Sequence, residues 1–205
     1  MKSYKSAIAI SAFCSFLLTA APIHAAVIDY TFSGTFDGSL NSAPLTDQAF
    51  TVSLIGDTAN ITSSGGEYFN TATDATFTIG ASTGTLTGTY NNVILNPTTQ
   101  SIIFGQGQSA SPFFVGEGIV NSALSGYNLQ TAINLASSTV TQTPNSIYFS
   151  SLGPLEFGNI TSLSFSAQLL PTPLPAGLLL LASALGITGL FGWFRRHKSG
   201  NAIPA

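Results

Sequence analysis

Residues 27–36 read VIDYTFSGTF. Ile28, Tyr30, Phe32 and Phe36 share one parity, while Asp29, Thr31, Ser33 and Thr35 share the other. Successive side chains of an extended chain point to opposite faces, so this alternation predicts a strand with one buried and one wet face. The period returns in FTVSL, with Phe50, Val52 and Leu54 inward, and in ATFTIG, with Ala75, Phe77 and Ile79 inward. TLTGTY predicts Leu86 and Tyr90 inward and threonines outward, and TSLSFSAQL puts Leu163, Phe165, Ala167 and Leu169 on one face. SIIF and IYFS read as more fully buried strands. Asp37-Gly38, GDTAN, SSGGE, Asn91-Asn92, NPTTQ and TPNS supply turn chemistry between the runs. Roughly eight to ten short strands with such turns predict an all-β fold, an antiparallel β-sandwich or a barrel-like variant. Residues 118–136 fit neither period, and a short helix or long loop is expected there.

The charges are zoned. Lys2, Lys5, Arg195, Arg196 and Lys198 are the only lysines and arginines, and the histidines are His24 and His197. The eight acids, Asp29, Asp37, Asp47, Asp57, Glu67, Asp74, Glu117 and Glu156, all lie between these basic ends. Eight carboxylates without a side-chain cation should repel one another and raise their average pKa on folding.

The basic head has the layout of a secretory signal peptide. MKSYK is the positive region, AIAISAFCSFLLTA the apolar one, and APIHAA the small-residue exit, with cleavage expected between Ala25 and Ala26. The apolar stretch of 14 residues is shorter than the roughly 20 that a spanning helix needs. Cys14 is the one cysteine and lies in the removed segment, so the mature chain has no disulfide. The 145 residues from 26 to 170 suffice for one domain, which at that size buries about 68–70% of its unfolded surface.

At the other end, residues 174–194 form a run of 21 without an ionisable side chain. At about 1.5 Å per residue a helix of that length crosses the roughly 30 Å hydrocarbon layer. Arg195, Arg196 and Lys198 follow at once and mark a cytoplasmic end. The segments are thus a signal peptide (1–25), a secreted β domain (26–170), a C-terminal signal (171–198, with its transmembrane helix at 174–194) and a cytoplasmic tail (199–205).

A short proline motif, one transmembrane helix and a terminal arginine cluster resemble the PEP-CTERM sorting signals of Gram-negative bacteria, in the variant whose motif reads Val-Pro-Leu-Pro-Ala. This chain has Pro173, Leu174, Pro175 and Ala176, preceded by Thr172 where that motif has valine, and it continues seven residues past Lys198. The resemblance implies export, an inner-membrane intermediate, and recognition by an exosortase-type membrane protease. Cleavage near the motif would then pass the domain to the cell surface or the extracellular polysaccharide. An ordinary single-pass anchor is the alternative.

Between Ala26 and Leu170 there is no His, Cys, Lys or Arg. That excludes Ser-His-Asp and Cys-His catalysis, a lysine Schiff base and a zinc site built on imidazole or thiolate from this segment. It also excludes nucleic acid as its partner, since nothing there neutralises phosphate. Two carboxylates suffice for a glycosidase, which leaves Glu67, Glu117 and Glu156 as candidates. No cofactor is expected; calcium alone has its ligand type here, and it would require Asp29, Asp37, Asp47, Asp57 and Glu67 to converge at one end of the sandwich. The leading expectation is a non-catalytic structural or adhesive surface protein whose Ser-, Thr-, Asn- and Gly-rich strands contact hydrated polysaccharide. The second is a carbohydrate-binding module or a carboxylate-only glycoside hydrolase, with Tyr68, Phe69, Phe113, Phe114, Tyr127 and Tyr148 as candidate aromatics, most of them expected in the core.

Overall fold

The computed structural model describes residues 26–107, 115–136, 139–143 and 146–171. Ala25, the signal segment, Pro173 to Ala176, the apolar run and the Arg195–Lys198 cluster lie outside the described residues. Among the described residues no helix is long and apolar enough to cross a membrane.

The chain is all-β. Its strands are β1 (Val27–Leu40), β2 (Ala43–Asp57), β3 (Thr62–Ser64), β4 (Glu67–Thr71), β5 (Asp74–Ile79), β6 (Ser82–Thr85) and β7 (Asn91–Asn96). They continue with β8 (Ser101–Gln106), β9 (Val115–Val120), β10 (Ile133–Leu135), β11 (Thr139–Gln142), β12 (Ser146–Tyr148) and β13 (Leu155–Leu169). Two antiparallel sheets result. One has the order β10-β13-β1-β2-β5-β6, with β12 also paired to β13, and the other has the order β11-β9-β8-β7-β4-β3.

The predicted parity places the core between them. Ile28, Tyr30, Phe32, Phe36, Val52, Leu54, Phe77, Leu163, Phe165 and Ala167 are buried from the first sheet. They meet Val93, Leu95, Ile102, Phe104 and Ile119 of the second. Phe104 of the second sheet bridges the layers, with its ring centroid 4.9 Å from Phe32 and 5.9 Å from Phe157, while within the first sheet Phe157 packs on Phe36 at 4.7 Å, Phe50 at 5.1 Å and Tyr148 at 5.4 Å.

A polar contact also crosses the core. The Tyr30 hydroxyl donates to the Leu129 carbonyl at 2.7 Å and accepts from the Asn70 amide at 2.9 Å. Burial pushes the Tyr30 phenol up to about 12. Gly56 leaves the room this requires, because a Cβ there would come within 2.6 Å of the Asn70 Nδ2. The tyrosine therefore ties both sheets to the irregular segment before β10.

Several expectations are corrected. Asp37-Gly38 is no turn: β1 runs to Leu40 and its register against β13 shifts there, while the hairpin turns at Asn41 and Ser42, both left-handed. Asn91 and Asn92 begin β7 rather than separating strands. Leu86 is buried but Tyr90 is 48% exposed, because the backbone leaves the sheet in between. Gly88 packs against the Gln106 side chain, where a Cβ would meet Cδ at 2.4 Å, and Tyr90 turns left-handed at φ 60. Leu169, at the last residue of β13, is exposed. Strands are also more numerous and some far longer than expected, since β1, β2 and β13 have 14, 15 and 15 residues. Residues 118–136 contain the end of β9, a 3-10 turn at Ser122–Leu124, a loop and β10.

Phe157→Ala should destabilise the domain by about 3–5 kcal/mol, as expected for truncating a fully buried ring. Phe149→Ala, at a position 65% exposed, should stay within about 0.5 kcal/mol. Urea denaturation of the two variants checks the contrast.

Candidate functional site

The outward parity of the first sheet builds a surface of one chemical kind. Following the register across the strands, Asn134, Ser166, Thr31, Ser53, Thr76 and Thr85 form one row. Ser164, Ser33, Thr51, Thr78 and Thr83 form the next. Apart from the Asn134 amide, every side chain in both rows is a hydroxyl, and none is buried. Neighbouring strands are about 4.7–4.9 Å apart and rows two residues apart are about 6.6–6.8 Å apart, so the hydroxyls form a lattice.

Local chemistry explains why these residues sit there. Threonine is β-branched and fits a pleated, half-buried surface, and directly opposed hydroxyls can bond each other. Ser33 and Thr51 are 3.2 Å apart, and Thr78 and Thr83 are 3.3 Å apart. The Ser164 hydroxyl donates to the Ser33 carbonyl at 2.9 Å. Beyond the rows, Thr35 lies 2.7 Å from Thr161 and 2.8 Å from Ser162. At the other margin, Ser53 donates to Asp29 at 2.7 Å.

The three candidate glutamates fall in three layers. Glu156 alternates with buried Leu155 and Phe157, faces outward from the first sheet and accepts from Ser39 at 3.2 Å. Glu67 faces outward from the second sheet and accepts from the Asn96 amide at 3.0 Å. It borders a concavity of about 270 Å³ beside the β3–β4 turn, lined also by Ser63, Ser64, Tyr68 and Pro97. Glu117 points into the core between them and is fully buried.

Glu117 follows Phe104 across the inner row of the second sheet, with Gln142 on its other side. The Ser146 hydroxyl donates to its Oε1, and Oε2 has no protein partner. Burial is the main cause that pushes its carboxyl up to about 8, against the opposing effect of the Ser146 bond. Repulsion among the acids is therefore not what moves this group. The Tyr148 phenol nearby is held well above its ordinary value, first by burial and then by Glu117.

The remaining acids have individual roles. Asp37 accepts from the Asp47 backbone N–H at 2.7 Å, and Asp57 caps the 3-10 turn Thr58–Asn60 by accepting from Ala59 N at 2.8 Å. Among the described residues no three acids gather into a metal-holding group, so the convergence that calcium would require is not met there. Of the candidate aromatics, Tyr148 and Tyr127 are core residues, Tyr68 and Phe69 are half-buried, and Phe113 and Phe114 lie outside the described residues. Among the described residues the exposed rings are Phe149 and Tyr90, both against expectation, since the alternation puts Tyr90 inward and IYFS reads as a more fully buried strand. Gln106 joins their surroundings: it pairs with Asn91, donates to the Phe149 carbonyl at 3.0 Å and accepts from Phe149 N at 2.8 Å.

Compared with protein-family models, with curated proteins and with solved structures, the chain matches none.

The folded-state pKa of Glu117 is raised above its unfolded value, so its contribution favours folding at low pH and is lost as pH rises. Between the ordinary value of 4.5 and about 8 the unfolded chain releases this proton first, and stability should fall by about 1.4 kcal/mol per pH unit. Glu117→Gln should flatten that slope and melt above the parent at pH 8. Thermal melts from pH 4 to 9 check both.

Proposed function

We propose that the chain is an exported cell-surface or extracellular-matrix protein, structural or adhesive and non-catalytic, that contacts extracellular polysaccharide and is processed through its C-terminal exosortase-type signal. The observation that carries the contact is the hydroxyl lattice on the outer face of the first sheet. A surface that both donates and accepts hydrogen bonds at regular intervals suits a hydrated, hydroxyl-rich polymer. The separation of Glu67, Glu117 and Glu156 into three layers supports the non-catalytic reading, because a glycosidase holds its two carboxyls within about 5–9.5 Å across one cleft.

Sequence and structure together support the processing reading. Ala26, the residue after the expected signal cut, is held in the β domain: the Thr58 hydroxyl accepts from Ala26 N at 2.9 Å and Thr58 N donates to the Ala26 carbonyl at 3.0 Å. Leu170, just before the segment that carries the proline motif, is held there too, its N–H donating to Val27 O at 2.8 Å. The residues that flank the two expected processing segments thus lie side by side.

A second reading, a discrete carbohydrate-binding module, is favoured by exposed Phe149 and Tyr90, since aromatic faces stack on sugar rings. Under it, Phe149→Ala abolishes glycan retention, whereas the lattice reading leaves retention within about twofold. Affinity electrophoresis in polysaccharide gels separates them.

The mature protein from the native host should begin at Ala26 and lack Arg195, Arg196 and Lys198. Intact-mass measurement reads this directly, and a mature species still ending at Ala205 would leave a plain membrane anchor.

A further inference from the structure

Building on the polysaccharide-contacting reading, we infer that the hydroxyl face of β10, β13, β1, β2, β5 and β6 takes an uncharged polysaccharide in a repeating contact several sugars long, and rejects uronate-bearing chains. Three observations carry this, beginning with charge. The lattice contains no ionisable group, Asp29 and Asp74 stand at its margin in the next row, and no lysine, arginine or histidine occurs between residues 26 and 170. An anionic chain would be repelled by these acids with no cation to offset the repulsion, whereas a neutral one meets no such penalty.

The second is hydrogen-bond capacity. Each hydroxyl has one donor and two acceptor lone pairs, and the pairs Ser33–Thr51 and Thr78–Thr83 use only part of that capacity. The unused part can both donate and accept, as sugar hydroxyls do. Ser and Thr are short and threonine is stiff at χ1, so little side-chain freedom is lost on contact.

The third is extent. Each hydroxyl already bonds water when free, so one contact gains little, and a monosaccharide should not be retained. Six strands give five intervals of about 4.8 Å, a span of roughly 24 Å. Affinity should rise steeply with oligomer length until the chain covers that span and then level off.

The test uses the full chain in detergent against arrays of neutral glucans, mannans and galactans beside alginate and pectate, followed by a length series of the neutral glycan retained. Expected are retention of a neutral glycan that persists in 0.5 M salt (about 3–8 Å screening length), no retention of alginate or pectate, and length dependence with a plateau. The isosteric variant Thr51→Val/Thr76→Val/Thr78→Val should weaken binding more than tenfold. The single variant Thr78→Val, exposed and harmless to folding, should weaken it about two- to tenfold. Thr62→Val/Thr139→Val, on the second sheet, should leave it unchanged. Equal retention of alginate, weakened by the triple variant, would overturn the neutral-glycan inference while the adhesive reading stands. Retention of no glycan would overturn both. Full binding of a single sugar, neutral-glycan binding unaffected by the triple variant, or concentration-dependent self-association through this face would each overturn the inference.

Discussion

The position of β1 is the constraint on which the rest depends. It pairs with β13 from Ile28↔Leu169 to Leu40↔Leu155, and with β2 from Val27↔Asp57 to Leu40↔Ala43. The first and last described strands are therefore neighbours, and closing that pair brings the ends of the described domain together. Because side chains alternate with period two, a slip of one residue would turn Tyr30, Phe32 and Phe165 to water and bring Thr31, Ser33 and Ser166 into the core. The same register thus specifies both the hydrophobic core and the hydroxyl lattice. Neither can change without the other.

A second constraint is the missing cation. A buried carboxylate is ordinarily tolerated through a paired charge, and this domain has no lysine, arginine or histidine to supply one. Glu117 must then keep its proton, and the Ser146 hydroxyl with the Tyr148 phenol beside it makes a neutral polar cluster rather than an ion pair. On the surface the acids bond to backbone N–H groups and hydroxyls at Asp29, Asp37 and Asp57. Electrostatics here stabilise little, which leaves packing and β-ladders to hold the domain.

What was legible in the sequence was the part dictated by alternation alone. Ile28 through Phe36, Phe50 through Leu54, Ala75 through Ile79 and Leu163 through Ala167 face as their parity requires, because hydrophobic burial is large and each strand reports it independently. Three kinds of feature were not legible. Asp37-Gly38 and Asn91-Asn92 carry turn chemistry, yet long-range pairing with β13, β2, β4 and β8 overrides local preference. Tyr90 leaves the strand pattern because Gly88 and Gln106 interlock, a contact between residues far apart in sequence. Glu117 looked like seven other acids, since its burial depends on which strand opposes it. The hydroxyl lattice was half visible: each strand showed outward Ser and Thr, but only the register shows that they line up in rows.

That alignment bears on why the contact surface we propose is a sheet face rather than a set of loops. β-Sandwiches commonly carry binding residues on the turns at one end, where insertions are tolerated and backbone geometry is free. Here the turns are spent on backbone requirements, as the left-handed pairs Asn41–Ser42 and Gly65–Gly66 show. Outward strand positions are cheaper: a threonine there meets the strand's own conformational preference and presents a hydroxyl at once. A face built this way gains contacts by adding strands rather than by refining a pocket, and its rows run across the strands, perpendicular to the line joining the turns at the two ends. The described ends meet at the Val27–Leu170 contact, so the two rows cross β1 at Thr31 and Ser33, inward from that end, and their alignment is fixed by the same ladder that joins the ends.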